Sequence, residues 1–124
     1  MKVVCVDDHP IMLQGLLKSI EHILPDASVR AFENANEALA FVADHGCDVL
    51  VCEIELCGSD GLALAQKVKA LNPQVNIIFV TVCDEKEHAQ EVLRIKPSGY
   101  LVKPAKEEHL EIELHNLRYS ACAV

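Results

Sequence analysis

Short apolar runs alternate with amphipathic stretches along nearly the whole chain. Val3–Val6 is apolar throughout and predicts a buried strand. Leu13, Leu16, Leu17, Ile20 and Leu24 then recur at helical spacing until Pro25 and Asp26. Ser28–Phe32 predicts a second strand. Asn34 is placed to cap the next helix, and Glu37, three residues on, predicts a capping box. Ala35, Ala38, Leu39 and Val42 make that helix's inner face, and Gly46 ends it. Val49–Ile54 is the third strand, apolar at almost every position, as a parallel strand covered on both faces must be. Gly58 and Gly61 punctuate the loop after it. Leu64, Ala65, Val68 and Leu71 mark a helix stopped by Asn72 and Pro73. Val75–Val80 is the fourth strand. A weaker helix follows, with Ala89, Val92 and Leu93 expected inward. Tyr100–Val102 is the fifth strand, and Leu110, Leu114 and Leu117 mark the last helix.

Five successive β-α units imply an α/β fold: a doubly wound, five-stranded parallel sheet with right-handed crossovers and helices on both faces. Ligands of such sheets bind at the carboxyl ends of the strands, near the switch in strand order. Residues 1–119 read as one domain, and 120–124 as a tail or the start of a linker to an output domain.

Composition narrows the class. The 124 residues are 51% hydrophobic, enough for a core without staples. With 19 acidic and 11 basic residues the net charge is −8, so no basic stripe is available for nucleic-acid phosphates. MKVVCVDDHP does not read as an export signal, and no run approaches the roughly 18 apolar residues of a membrane span. A cytoplasmic protein is expected. The six cysteines, at 5, 47, 52, 57, 83 and 122, form no CxxC pair and no zinc-like spacing, so neither disulfides nor structural zinc are expected. Cys57 and Cys83 fall on loops at the functional edge without a basic sequence neighbour to activate them.

The strand ends carry the chemistry. Asp7 and Asp8 follow the first strand. Glu53 lies at the end of the third, with Glu55 two residues on. Thr81 ends the fourth, and Lys103 follows the fifth, before Pro104. Singly, these are ordinary capping, strand-end or solvated residues. Together they gather carboxylates, a hydroxyl and an ammonium on one edge. Clustered carboxylates call for a cation, and oxygen ligands suit Mg²⁺ or Mn²⁺. A lysine and a hydroxyl beside such a site can bind phosphoryl oxygens. The pattern describes phosphoryl transfer onto a carboxylate, or an imitation of it.

The ordered set VDDHP, DVLVCEIELCGSDG, IIFVT and GYLVKP resembles the receiver domain of bacterial two-component response regulators over residues 1 to about 117. That resemblance implies a flavodoxin-like fold and a signalling module rather than an enzyme. It makes position 53 the phosphate acceptor, with Thr81 and Lys103 the groups that contact the phosphoryl. Thr81 and Tyr100 become the switch pair. Asp8 would be a direct Mg²⁺ ligand, Asp7 a partly water-mediated one, with Glu53 and the backbone carbonyl of Glu55 completing the metal set. The Lys103–Pro104 bond would be cis. Implied partners are a sensor histidine kinase or other signalling protein, and an output domain or second copy docking on the face formed by residues 86–117.

The acceptor position departs from the family, where aspartate is the rule. From Asp48 the motif lands on Glu53, and Gly58, Asp60 and Gly61 fix the other side. The extra methylene moves the carboxylate out by about 1.5 Å, and phosphoryl transfer depends above all on positioning. Impaired phosphotransfer is expected, with Glu53 reaching toward Lys103 and Thr81; the readings open are a domain held active-like by that charge, one resting inactive because a single carboxylate is a weak substitute for three phosphoryl oxygens, and residual phosphorylation on Glu53 or another acid. Mg²⁺ should bind more weakly than at an aspartate site. Val82 is expected to narrow the approach, Cys57 to loosen a loop that usually holds proline, and Glu55 to add charge at the entry. Two alternatives share the topology. A flavin-type module would want a phosphate-cradling loop where this chain has Asp-Asp-His-Pro; a metal-dependent phosphoryl-transfer enzyme would use Asp7 or Asp8. His9 is the histidine nearest the acidic pair, and Pro10 suggests that it starts a helix.

Overall fold

The computed structural model describes residues 1–119. The tail expected at 120–124, with Cys122, lies outside the described residues. The chain runs β1 (Lys2–Val6), α1 (Pro10–Ile23), β2 (Ser28–Phe32), α2 (Ala35–His45), β3 (Val49–Cys52) and a small hairpin, β4 (Glu55–Leu56) with β5 (Ser59–Asp60). It continues through α3 (Gly61–Leu71), β6 (Asn76–Thr81), a 3₁₀ turn (Glu85–His88), α4 (Ala89–Ile95), β7 (Gly99–Val102) and α5 (Glu107–Leu114). The main sheet has the order β2-β1-β3-β6-β7, with every pair parallel. After β2 the chain crosses back over β1 to β3, and that reversal is the topological switch point.

Alternation along the strands divides the core in two. Val3 and Cys5 of β1, Val49 and Val51 of β3, and Ile78 and Val80 of β6 pack with Leu13 and Ile20 of α1 and Leu110 and Leu114 of α5. Their sequence neighbours, Val4, Val6, Leu50, Cys52, Ile77 and Phe79, face α2, α3 and α4. Each fully buried Val, Leu or Ile contributes about 1.5–3 kcal/mol. The central strands β3 and β6 are buried at every position, which explains why β3, and β6 between its polar ends Asn76 and Thr81, read as apolar runs.

Local signals place the helices. Asn34 Oδ1 accepts from the N–H groups of Asn36 and Glu37, so the N-terminal cap of α2 forms through its Asn arm. Gly46, at φ 74°, ends α2 in a backbone region that favours glycine. Asn76, the first residue of β6, is a buried polar side chain that brackets the Tyr119 backbone: its amide donates to Tyr119 O at 2.7 Å, and its Oδ1 accepts from Tyr119 N at 2.7 Å.

Some expectations need correction. β3 ends at Cys52 rather than Ile54, because Glu53 and Ile54 turn into the hairpin. Glu55 lies in that hairpin rather than in an open loop. Leu71 is 55% exposed: it is the last residue of α3, past the last inward position, Val68. Leu93 is 73% exposed and Ala89 is exposed as well. Helix α4 has seven residues, and its inward face is Val92 and Ile95, which turns Leu93 to solvent. Helix α5 ends at Leu114, and Leu117 packs against the core from beyond it.

Candidate functional site

Sheet register assembles the site. Val6 pairs with Cys52 and Cys52 with Phe79, so Asp7 and Glu53 leave β1 and β3 side by side. The Glu53 N–H donates to Val6 O at 3.0 Å, and the Lys103 N–H to Thr81 O at 2.8 Å, fixing the backbone at both places. Lys103 is carried in by the turn after β7, where the Lys103–Pro104 bond is cis.

Glu53 is 2% exposed, and both of its carboxylate oxygens are engaged. Oε1 accepts from Lys103 Nζ at 3.0 Å; Oε2 accepts from the N–H of Ile54 at 2.7 Å and of Glu55 at 3.3 Å. Lys103 Nζ also donates to Asp7 Oδ2 at 2.6 Å. Burial opposes the charge on Lys103, but the bonds to Asp7 and Glu53 outweigh it and raise its pKa above the ordinary lysine value. The expected reach of Glu53 toward Lys103 is therefore present. Its reach toward Thr81 is not: the buried Thr81 Oγ1 accepts from the Cys83 N–H at 3.2 Å.

Asp8 has a different environment. Its Oδ2 accepts from Cys57 N–H at 2.7 Å, and its Oδ1 is buried without a hydrogen-bond partner. His9 Nδ1 stands 3.1 Å from that oxygen, at an angle that makes no hydrogen bond, and 3.3 Å from Asp7 Oδ1. Ligand atoms of Asp7, Asp8 and His9 all fall within 4.8 Å of one another. An orphaned buried carboxylate oxygen beside a second carboxylate fits a divalent cation. Of the three carboxylates, Asp8 supplies the uncommitted oxygen: Asp7 Oδ1 accepts from the His9 N–H at 2.9 Å and Oδ2 from Lys103, and both Glu53 oxygens are likewise held.

Tyr100, half-buried, stacks edge-on against Phe79 with centroids 6.0 Å apart and donates its hydroxyl to Cys83 O at 2.9 Å. Thr81 and Tyr100 are thus joined through the two peptide groups of one residue, Cys83. Cys83 is buried rather than open, and burial pushes its thiol pKa up. Cys57 is exposed. Val82 is 60% exposed, so its side chain lies largely in solvent.

Sequence reasoning missed three participants. His9 does start α1, as its N-cap residue ahead of Pro10, but its ring also faces both aspartates. Cys83 joins Thr81 and Tyr100. Gly61 closes on Glu53 so tightly that a Cβ there would collide with the Glu53 carbonyl. Its position in the motif was the available signal; the contact behind it was not.

Residues 3–115 match the response regulator receiver domain family. Among curated relatives, the uncharacterized transcriptional regulatory protein YesN of Bacillus subtilis is 29% identical over 117 residues, which cover 94% of this chain and 32% of the relative. The transcriptional regulatory protein ZraR of Salmonella typhimurium is 30% identical over 112 residues, 88% of this chain and 24% of the relative. The chain therefore spans a third or less of the length of these two relatives. A CheY-like receiver domain protein from Methanospirillum hungatei superposes with a TM-score of 0.84 at 23% identity, covering 92% of this chain and 90% of that one. The chain belongs to the response regulator receiver domain family. It is a receiver module of two-component signal transduction with the flavodoxin-like fold, and the family assignment favours neither the flavin nor the phosphatase-type alternative.

Proposed function

We propose that Glu53 takes the phosphoryl group's place in this receiver, so that the domain is not switched by phosphotransfer to position 53 and rests in the state its partner reads. The observation that carries this reading is the full engagement of the Glu53 carboxylate. An acceptor oxygen must be free to attack phosphorus, yet here Lys103 holds one oxygen and two backbone N–H groups hold the other. Lys103, which would grip a phosphoryl oxygen, already grips a carboxylate. Tyr100 is packed on Phe79 and tied to Cys83 without any added group.

A Mg²⁺ ion would be held by Asp7, Asp8 and the backbone carbonyl of Glu55, with Glu53 contributing less than an aspartate would. The ion would supply charge neutralisation among the carboxylates. Partner contact would use the face of residues 86–117, where Leu93 is 73%, Val102 50% and Ile112 55% exposed. The partner would be a sensor kinase or other signalling protein, an output domain following residues 120–124, or a second copy, in the cytoplasm. Among the described residues no helix is long and apolar enough to cross a membrane. At a net charge of −8, this segment would not itself bind nucleic acid. The receiver would signal without acting as an enzyme.

The test is incubation with a small-molecule phosphodonor and Mg²⁺, followed by phosphopeptide mapping by mass spectrometry. The wild-type chain should carry no phosphate at Glu53, and Glu53→Asp should gain it. Stoichiometric phosphate on wild-type Glu53 overturns the reading.

A further inference from the structure

We propose that Cys83, Glu87 and His88 form a transition-metal site, selective for Zn²⁺, on the segment that joins the two switch side chains. This goes beyond the role of Glu53 and does not depend on it. One ligand atom from each of the three residues lies within 4.8 Å of the other two. Three protein ligands with the fourth position left to solvent is a coordination that Zn²⁺ accepts.

The chain builds this cluster locally. After β6 ends at Thr81, Asp84 accepts from Lys86 N–H at 2.9 Å and caps the 3₁₀ turn Glu85–His88. The Glu87 N–H closes on Asp84 O at 3.0 Å. That turn brings Glu87 and His88 back over Cys83. Zinc-like spacing is invisible in Cys-Asp-Glu-Lys-Glu-His, because the turn rather than a CxxC-type pair supplies the geometry. Exposure grades from the buried Cys83 through the half-buried His88 to the exposed Glu87, which leaves an entry path from solvent.

Ligand chemistry decides the ion. Thiolate and imidazole are borderline-soft donors that favour Zn²⁺, whereas Mg²⁺ demands oxygen and belongs to the Asp7–Asp8 pair. Binding Zn²⁺ displaces the Cys83 thiol proton to solvent, and Zn²⁺ stays in one oxidation state throughout. The consequence lies in the backbone of the same residue. Its N–H is held by Thr81 Oγ1 and its carbonyl by the Tyr100 hydroxyl. A metal that fixes the side chain of Cys83 fixes both switch contacts, giving the receiver an input that bypasses position 53.

The test uses the full chain, stripped of metal, titrated with Zn²⁺ against a chromophoric chelator and with Co²⁺ as a spectroscopic probe. With excess Mg²⁺ present to occupy the Asp7–Asp8 pair, the expected result is one Zn²⁺ or Co²⁺ per chain, a sulfur-to-cobalt charge-transfer band, and Zn²⁺-induced shifts in the amide resonances of Cys83 and Tyr100. Cys83→Ser should abolish the band. Glu87→Gln and His88→Gln, both at accessible positions, should each weaken Zn²⁺ binding at least about tenfold, and Cys57→Ser should leave it unchanged. A cobalt spectrum without a sulfur band, a band that survives Cys83→Ser, or affinity indifferent to both Glu87→Gln and His88→Gln overturns the proposal.

Discussion

Lys103 Nζ lies 2.6 Å from Asp7 Oδ2, closer than its 3.0 Å approach to Glu53 Oε1. One ammonium, its side chain 9% exposed, therefore bridges two buried carboxylates and offsets their mutual repulsion. Removing it leaves both uncompensated. Lys103→Met should destabilise the domain by about 3–5 kcal/mol, the range for breaking a buried pair from one side. Urea unfolding checks this. Adding Glu53→Gln to Lys103→Met should recover part of the loss, because one of the two stranded charges is then gone.

Gly61→Ala tests the contact under Glu53. The new methyl would fall on the Glu53 carbonyl, so the backbone of α3 or of the turn at Glu53 and Ile54 must shift. The expected loss is about 1–3 kcal/mol, read as a lower urea midpoint at unchanged slope. Gly15, with nothing within 4 Å of an added Cβ, is the control: Gly15→Ala on α1 should be neutral or stabilising.

Tyr100→Phe keeps the ring against Phe79 and removes the hydroxyl bond to Cys83 O. Stability should fall by about 1 kcal/mol. The more telling readout is the Cys83 and Thr81 amide resonances, which should shift together because Cys83 is hydrogen-bonded to both the Thr81 and the Tyr100 side chains.

Glu107 and His22 give a pH prediction. His22 Nδ1 is 2.7 Å from Glu107 Oε2, joining α1 to α5, and that bond holds the Glu107 pKa below its ordinary value of 4.5. A depressed carboxyl contributes its stabilisation above the unfolded pKa and loses it as pH falls through the folded one. The contribution should therefore begin to fall as pH drops below 4.5 and be gone once pH lies below the depressed folded midpoint. Carboxyl NMR titration should show the Glu107 midpoint rising toward 4.5 in His22→Ala.

The fold was legible because its signals are periodic. Parallel strands buried on both faces write unbroken apolar runs, and β2 was readable from Ser28 to Phe32, the bounds it has in the structure. Legibility failed where an element is short or ends. In the seven residues of α4, a shift of one position separates the buried Val92 from the exposed Leu93. The site residues were readable as types at strand ends, because topology alone brings strand ends together. The pairing among them was not. Whether Glu53 reaches Lys103 or Thr81 depends on a side-chain torsion, and sequence patterns encode which face a residue takes rather than how its last bonds turn. The cluster of Cys83, Glu87 and His88 stayed hidden for a related reason: a single 3₁₀ turn creates it, and no periodicity announces one turn.

Asn76 has a bearing on how any downstream segment could sense this site. It opens β6, while Thr81 closes the same strand, so the Tyr119 backbone is tethered about 17 Å from the carboxylate cluster, at the opposite pole of the sheet. Tyr119, the last described residue, is thus held at that far pole. Thr81 and the Tyr119 tether sit at opposite ends of one strand, so β6 is a rigid bar with the acidic pole at one end and the chain beyond α5 at the other.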